Sequence, residues 1–319
     1  MTQKILIIGG AGYIGGLTTD YLLRDGFEVT VYDNLLYEER YLKPVSFVHG
    51  DIRETEKIAK LSEKFDIIII LAGLVGDQAC AVDPIITEAV NLTSVEKLCS
   101  AISKDKHIIF MSTCSVYGVG EGILNENSPT NSLSVYATTK LEAEKYVSQR
   151  NGTIFRLGTV FGLGDNYSRI RMDLVANVLT MRALRNGEIT INGGDQWRPI
   201  ISVIDIAEYL VEACKKKIPG TYVISKENVT IKDLGERIVK LIPKTKIIYR
   251  DIPFEDNRNY KVDNSQSLSA FNYKPKVSLE DEMRRMMLLF TENRIKDPND
   301  KTYNNGAFIN KLKESGTFL

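Results

Sequence analysis

The sequence is poor in the residues that build cross-linked or metal-held scaffolds. Its four cysteines, Cys80, Cys99, Cys114 and Cys214, are scattered, and none forms a CxxC pair. That argues against a disulfide framework or a thiolate zinc site and fits a reducing, cytoplasmic setting. Only two histidines are present, His49 and His107, so no His-based metal centre is expected. There is no excess charge of either sign, since 41 Lys+Arg balance 41 Asp+Glu. A neutral chain has no global pull toward nucleic acid or an anionic membrane, so phosphate must be held by local devices. The longest apolar run, around residues 67–71, is far too short to span a bilayer. The amino-terminal apolar run ends at once in Gly9-Gly10, which reads as a strand entering a turn rather than a signal peptide.

What is present is 43% apolar residues in 319, enough for about one to two domains. Short apolar runs at 4–8, 28–32, 45–48, 67–71 and 108–111 read as buried strands. Helical patterns occupy 13–24, 54–64, 84–103 and 136–150. Apolar strands alternating with helices imply an α/β fold with a doubly wound parallel sheet, covered on both faces and joined by right-handed crossovers. After about residue 156 the alternation loosens. A helix is expected at 203–217, then strand, helix and strand signals up to residue 249. The polar stretch from about Lys296, with Asn304-Asn305-Gly306 inside it, is expected to be a loosely docked tail.

The first strand runs into Gly9-Gly10-Ala11-Gly12-Tyr13-Ile14-Gly15, a G-x-x-G-x-x-G turn that opens a helix. Glycine allows the positive φ of a tight turn and lets a pyrophosphate approach the backbone. The helix then points free N–H groups at that anion. About 20 residues on, the second strand ends in Asp33, where an acid accepts bonds from ribose hydroxyls and repels a 2′-phosphate. The expected cofactor is therefore NAD rather than NADP. A Rossmann-type NAD-binding domain is expected over 1–160 with a later return near 195–225, and a smaller carboxyl-terminal substrate-binding region over 161–319.

Tyr136 and Lys140 lie four apart in a helical pattern, which puts them on one face. A lysine ammonium beside a phenol favours the phenolate, a base able to take a proton from a sugar hydroxyl while hydride leaves the same carbon. Ser112-Thr113-Cys114-Ser115 follows the fifth strand, at the end of a parallel sheet where ligands bind. Taken singly, a glycine turn, a Tyr–Lys pair and a Ser/Thr cluster each have an ordinary structural reading.

Together they resemble the extended short-chain dehydrogenase/reductase family, in its NAD-dependent nucleotide-sugar epimerase and dehydratase group. The motifs run in order: Gly9, Gly12 and Gly15, Asp33-Asn34, Asp51-Ile52, Leu71-Ala72-Gly73, Asn91, Ser112–Gly118, Tyr136 and Lys140, Arg156-Leu157, and Trp197-Arg198-Pro199 before 203–207. The resemblance implies that Asp51 and Ile52 flank the adenine. Leu71, Ala72 and Gly73 would line the cofactor, with Tyr13, Ile14, Asn34 and Asn91 also on its side. Thr113 would partner Tyr136. The substrate would meet Thr113, Cys114, Ser115, Thr159 and Arg198, the last at its diphosphate. Apart from the resemblance, a neutral chain needs local arginines for that diphosphate, and Arg169 with Arg171 form a second candidate group. A homodimer or higher oligomer is implied, paired through the helical segments at 84–103 and 136–150.

Three departures stand out. The Asp-Glu pair of the sugar dehydratases is replaced by Cys114-Ser115, which disfavours elimination of water. A substrate-contacting Asn is replaced by Thr159, and a His before Leu71 by Ile70. The expected reaction is NAD-dependent oxidation of a nucleotide-sugar at the 4-hydroxyl, by a 4-epimerase or a 4-dehydrogenase releasing a keto sugar. UDP-hexose, GDP-mannose-type sugars and GDP-heptose all remain open as substrates. The alternatives are an NADP-dependent keto-sugar reductase, which Asp33 opposes, and a dinucleotide sensor, which would not need Thr113, Tyr136 and Lys140 together.

Overall fold

In the computed structural model, which describes residues 2–250, 258–295 and 297–317, the apolar runs become the strands of a central sheet. β1 (Lys4–Ile8) feeds the glycine turn and α1 (Tyr13–Arg24). β2 (Glu28–Asp33), β3 (Ser46–His49), α2 (Thr55–Ser62) and β4 (Ile67–Ile70) follow. Two short helices, α3 (Asp77–Val82) and α4 (Pro84–Glu88), lead through a π-helical turn at Ala89–Thr93 into α5 (Ser94–Ala101). Then come β5 (His107–Thr113), β6 (Val119–Leu124), α6 (Val135–Gln149) and β7 (Thr153–Leu157).

Beyond these lie β8 (Thr159–Phe161), α7 (Val175–Asn186), β9 (Glu188–Asn192), β10 (Trp197–Ser202) and α8 (Val203–Lys216). β11 (Gly220–Ile224), β12 (Glu227–Thr230), α9 (Ile231–Leu241), β13 (Lys246–Arg250) and β14 (Asn259–Val262) come next. α10 (Ser265–Phe271), α11 (Leu279–Thr291) and α12 (Asn305–Glu314) complete the chain.

The large sheet has seven parallel strands in the order β11-β7-β5-β4-β1-β2-β3. Its period of two divides the isoleucines between the faces. Leu6, Ile8, Ile68 and Ile70 pack with Leu98 of α5 and Val147 of α6. Ile5, Ile7, Ile67 and Ile69 pack with Leu22 of α1 and Leu210 of α8. The chain leaves β1 toward β2 on one side, while β4 lies on the other. That reversal makes a ligand-binding crevice at the carboxyl ends of β1 and β4.

A separate core gathers Phe161, Leu179, Ile189, Val229, Leu234 and Met283 over two small sheets, β12-β10-β8 and β13-β9, while a third, β14-β6, packs Leu124, Tyr260 and Val262 against Val116 and Val223. The return to the large sheet is made by α8 and β11 alone. β10 stays with the small sheets, antiparallel to β12 and parallel to β8.

Two expectations change. The segment 84–103 is not one helix, because the π turn adds a residue where Asn91 must face the loop after β4. The tail is not loosely docked. Lys296 itself lies outside the described residues, but α12 buries Ile309 and sets Phe308 5.2 Å from the Tyr37 ring. Its apolar positions have helical spacing and are diluted by polar neighbours, which hid them. Among the described residues no helix is long and apolar enough to cross a membrane.

Candidate active site

A cavity of about 1430 Å³ opens at the carboxyl ends of β1, β2, β4 and β5 and reaches the small sheets. At one end is the glycine turn. Gly9 has φ +87°, and a Cβ there would lie 2.3 Å from the Ala72 backbone nitrogen. A Cβ on Gly15 would lie 2.4 Å from the Gly9 carbonyl oxygen. Gly12 begins α1 with no side-chain cap, so the first N–H groups of the helix face an incoming anion. Tyr13 and Ile14 line the cavity, and the Tyr13 hydroxyl donates to Gly162 O at 2.6 Å.

Asp33 ends β2 at the cavity wall. Its Oδ2 accepts from Ala11 N at 3.0 Å and its Oδ1 from Leu35 N at 2.8 Å. Burial raises its carboxyl above the ordinary range, against the pull of those bonds. Two acceptor sites are used and lone-pair capacity for ribose hydroxyls is left over. Asn34 Nδ2 donates to Asp51 Oδ2 at 3.0 Å, and Arg53 clamps the same carboxylate from the far side. Burial opposes ionisation of Asp51, yet the Arg53 bonds keep its carboxyl below the usual range. Ile52, Leu71, Ala72 and Gly73 line the cavity beside them. These residues form a cradle that fits a dinucleotide. Asn91 does not line it. The Asn91 side chain accepts from Leu74 N at 2.8 Å and donates to Leu74 O at 2.9 Å, so it fixes the loop that carries Gly73. It acts through that loop rather than on a cofactor.

Tyr136, Lys140 and Thr113 meet in the same cavity. α6 starts with Ser134 capping Ala137 N, which puts Tyr136 and Lys140 in its first turns. Burial raises the Tyr136 phenol well above its usual value, and the Thr113 hydroxyl opposes this. Lys140 is 3% exposed and sits 4.5 Å above the Phe110 ring. Burial pushes its ammonium down to about 8. The expectation that Lys140 lowers the phenol is therefore corrected. Burial dominates at Tyr136, and a phenolate formed there is a correspondingly strong base. Thr113 Oγ accepts from Ser115 N and donates to Ser115 Oγ, both at 3.1 Å.

At the far end the predicted substrate residues separate. Ser115 and Thr159 line the cavity; Cys114 does not. The short turn after β5 sends Cys114 into the protein, where Sγ lies 3.3 Å from Arg156 O and burial raises the thiol. Arg198 is 4% exposed on β10, lines the cavity, and donates to the Trp197 and Arg258 carbonyls. Sequence reasoning missed Arg258, whose guanidinium reaches Ser115 Oγ at 2.6 Å and Asp77 at 3.4 Å. A lone arginine before a short edge strand carries no motif. Arg171 is buried and Arg169 half-buried, and both line the cavity wall. Arg171 is held bidentately by Asp173, at 2.6 and 3.1 Å. Among the described residues no cluster of His, Cys, Asp or Glu is arranged to hold a metal.

Residues 5–225 match the model of the NAD dependent epimerase/dehydratase family. The chain belongs to that family. It is an NAD-dependent enzyme. The UDP-glucose 4-epimerase of Bacillus subtilis (strain 168) is 28% identical over 253 residues, covering 69% of this chain and 75% of the relative. The UDP-glucose 4-epimerase of Halalkalibacterium halodurans is 36% identical over 151 residues, 45% of each chain. Pal from Bacillus thuringiensis superposes with a TM-score of 0.79 at 25% identity, covering 91% of this chain and 99% of that one. TunA, an NAD-dependent NDP-hexosamine 5,6-dehydratase of tunicamycin biosynthesis, has a TM-score of 0.80 at 21% identity over 93% and 100%. At that identity the likeness to TunA speaks for the fold alone.

Proposed function

We propose that the enzyme oxidises the 4-hydroxyl of the sugar in a nucleotide-sugar, as a 4-epimerase or as a 4-dehydrogenase that releases the keto sugar. The observation that carries this reading is Tyr136, Thr113 and the buried Lys140 in one cavity with the glycine turn and Asp33. The relatives named UDP-glucose 4-epimerases support position 4. NAD, when bound, supplies a hydride acceptor. Thr113 orients the sugar hydroxyl. Tyr136 Oη takes the hydroxyl proton as hydride leaves the same carbon, so the C–O bond becomes C=O. Lys140, held near 8, keeps a positive charge one helical turn away at neutral pH. Arg198 offers a planar fork to two oxygens of the substrate diphosphate, with Arg258 and Ser115 toward the sugar.

Dehydration is disfavoured on the same geometry. It needs an acid and a base beside Tyr136, and the two residues after Thr113 offer only a serine hydroxyl and a buried thiol. Asp77 does reach the cavity, but it accepts from Ser134 Oγ at 2.6 Å and pairs with Arg258. The test is chromatographic separation and mass spectrometry of UDP-hexose, GDP-mannose and GDP-heptose after incubation with purified enzyme. One of them should give an epimer of unchanged mass or a keto sugar lighter by two hydrogens. A product lighter by one water would overturn the reading.

A further inference from the structure

The last helix docks against the cofactor end of the cavity. Asn304, Asn305 and Gly306 line the same space as the glycine turn. Just upstream, Thr302 O accepts from Arg169 Nη1 at 2.8 Å, and Asn305 Oδ1 accepts from Arg169 Nη2. The guanidinium lies 3.9 Å above the Tyr37 ring. Both acceptors are neutral, and among the described residues no carboxylate lies within ion-pair distance of this guanidinium. The nearby Glu38 carboxylate accepts the Arg169 backbone N–H instead, at 2.7 Å. Arg171, by contrast, has its charge matched by Asp173. Burial of the Arg169 cation pushes it down to about 10, a sign that charge compensation is incomplete. A guanidinium has five N–H donors, so some remain for a ligand.

One further observation points to an anion here, and another shows how the arginine is held. The Tyr37 hydroxyl is buried at the cavity wall without a hydrogen-bond partner among the described residues. Asn305 ties this arginine to the Rossmann-side loops: its Nδ2 donates to Val75 O at 2.8 Å and its N–H to Asp173 Oδ2 at 3.0 Å. Tyr37 follows β2 and Val75 follows β4, so the cluster stands between loops on either side of the glycine turn. The substrate-side arginines Arg198 and Arg258 sit on or beside the small sheets.

We propose that Arg169 and the Tyr37 hydroxyl bind a phosphate oxygen of the dinucleotide, and that the chain from Thr302 through α12 holds them there, so the cofactor is retained between turnovers. This rests on NAD as the cofactor. It also suits a reaction in which hydride is returned to the sugar, because such a cycle needs no exchange of NAD.

The test compares wild type with Arg169→Met, Tyr37→Phe and Asn305→Ala. Methionine keeps a stem to pack on Tyr37 and loses only the charged fork. NAD is counted by acid release after gel filtration, and its dissociation is followed by fluorescence. Arg169→Met and Asn305→Ala should lose NAD about tenfold faster or more, as for a lost hydrogen bond to a charged group. Tyr37→Phe should shift it in the same direction by less. Affinity of NAD-saturated enzyme for UDP or GDP should stay unchanged. Unchanged NAD release in Arg169→Met overturns the proposal, as does weaker nucleotide-diphosphate binding with NAD still retained. If Arg169→Met does not fold, unchanged release in both Tyr37→Phe and Asn305→Ala overturns it. Wild-type protein that binds no NAD would fail the cofactor assignment first.

Discussion

Each Asp33 oxygen accepts one backbone N–H, so the carboxylate both fixes the turns around β2 and faces the cavity. Removing it should weaken NAD by roughly tenfold to a hundredfold, the range for hydrogen bonds to charged groups, and narrow the preference over NADP. Titration of Asp33→Ala with both dinucleotides checks this, and an unchanged NAD/NADP ratio would contradict it. Single residues were also where the sequence was least legible. Cys114 and Ser115 are neighbours, yet a short turn sends one inward and the other to the cavity. Asn91 occupies a family position but spends its amide on Leu74. Arg258 is given its place by the pairing of β14 with β6, a long-range contact that no local pattern announces.

At the scale of elements, β1, β2, β4 and β5 were legible because strands covered on both faces are apolar over most of their length. The helices α7 and α11 were not predicted, since each presents only a partial apolar stripe to the small core. The start of β5 carries a pH-dependent contact. His107 Nε2 lies 2.8 Å from Thr153 Oγ1, whose hydroxyl donates to Ile218 O at 2.6 Å, so the ring nitrogen is the donor. Burial, helped by Lys217, pushes His107 from 6.5 down to about 4. Between those values the unfolded chain binds a proton that the folded chain refuses, so this site lowers stability as pH falls through that window. Melting temperatures measured across that window should drop less steeply for His107→Gln than for wild type. Equal slopes would show that the site is not coupled to folding.

For the whole molecule, one cavity joins a dinucleotide cradle on the large sheet to an arginine-bearing end on the small sheets, with Tyr136 between them in the lining. The sequence pointed to the cradle through a strand, a turn and an acid at fixed spacing. It did not point to the closing contribution of α12, which depends on residues more than a hundred positions apart meeting at Arg169. The central claim is that Tyr136 removes a proton as hydride leaves sugar C4. It is tested most directly by quenching a single turnover before completion with a nucleotide-sugar deuterated at C4, reading the deuterium content of the released cofactor and of the product by mass spectrometry. The account predicts deuterium on the nicotinamide ring in wild type and a rate lower by roughly 10²–10⁴ in Tyr136→Phe, as for lost acid–base catalysis. Product that carries deuterium neither at C4 nor on the cofactor, or a Tyr136→Phe enzyme that transfers it at the wild-type rate, would contradict it.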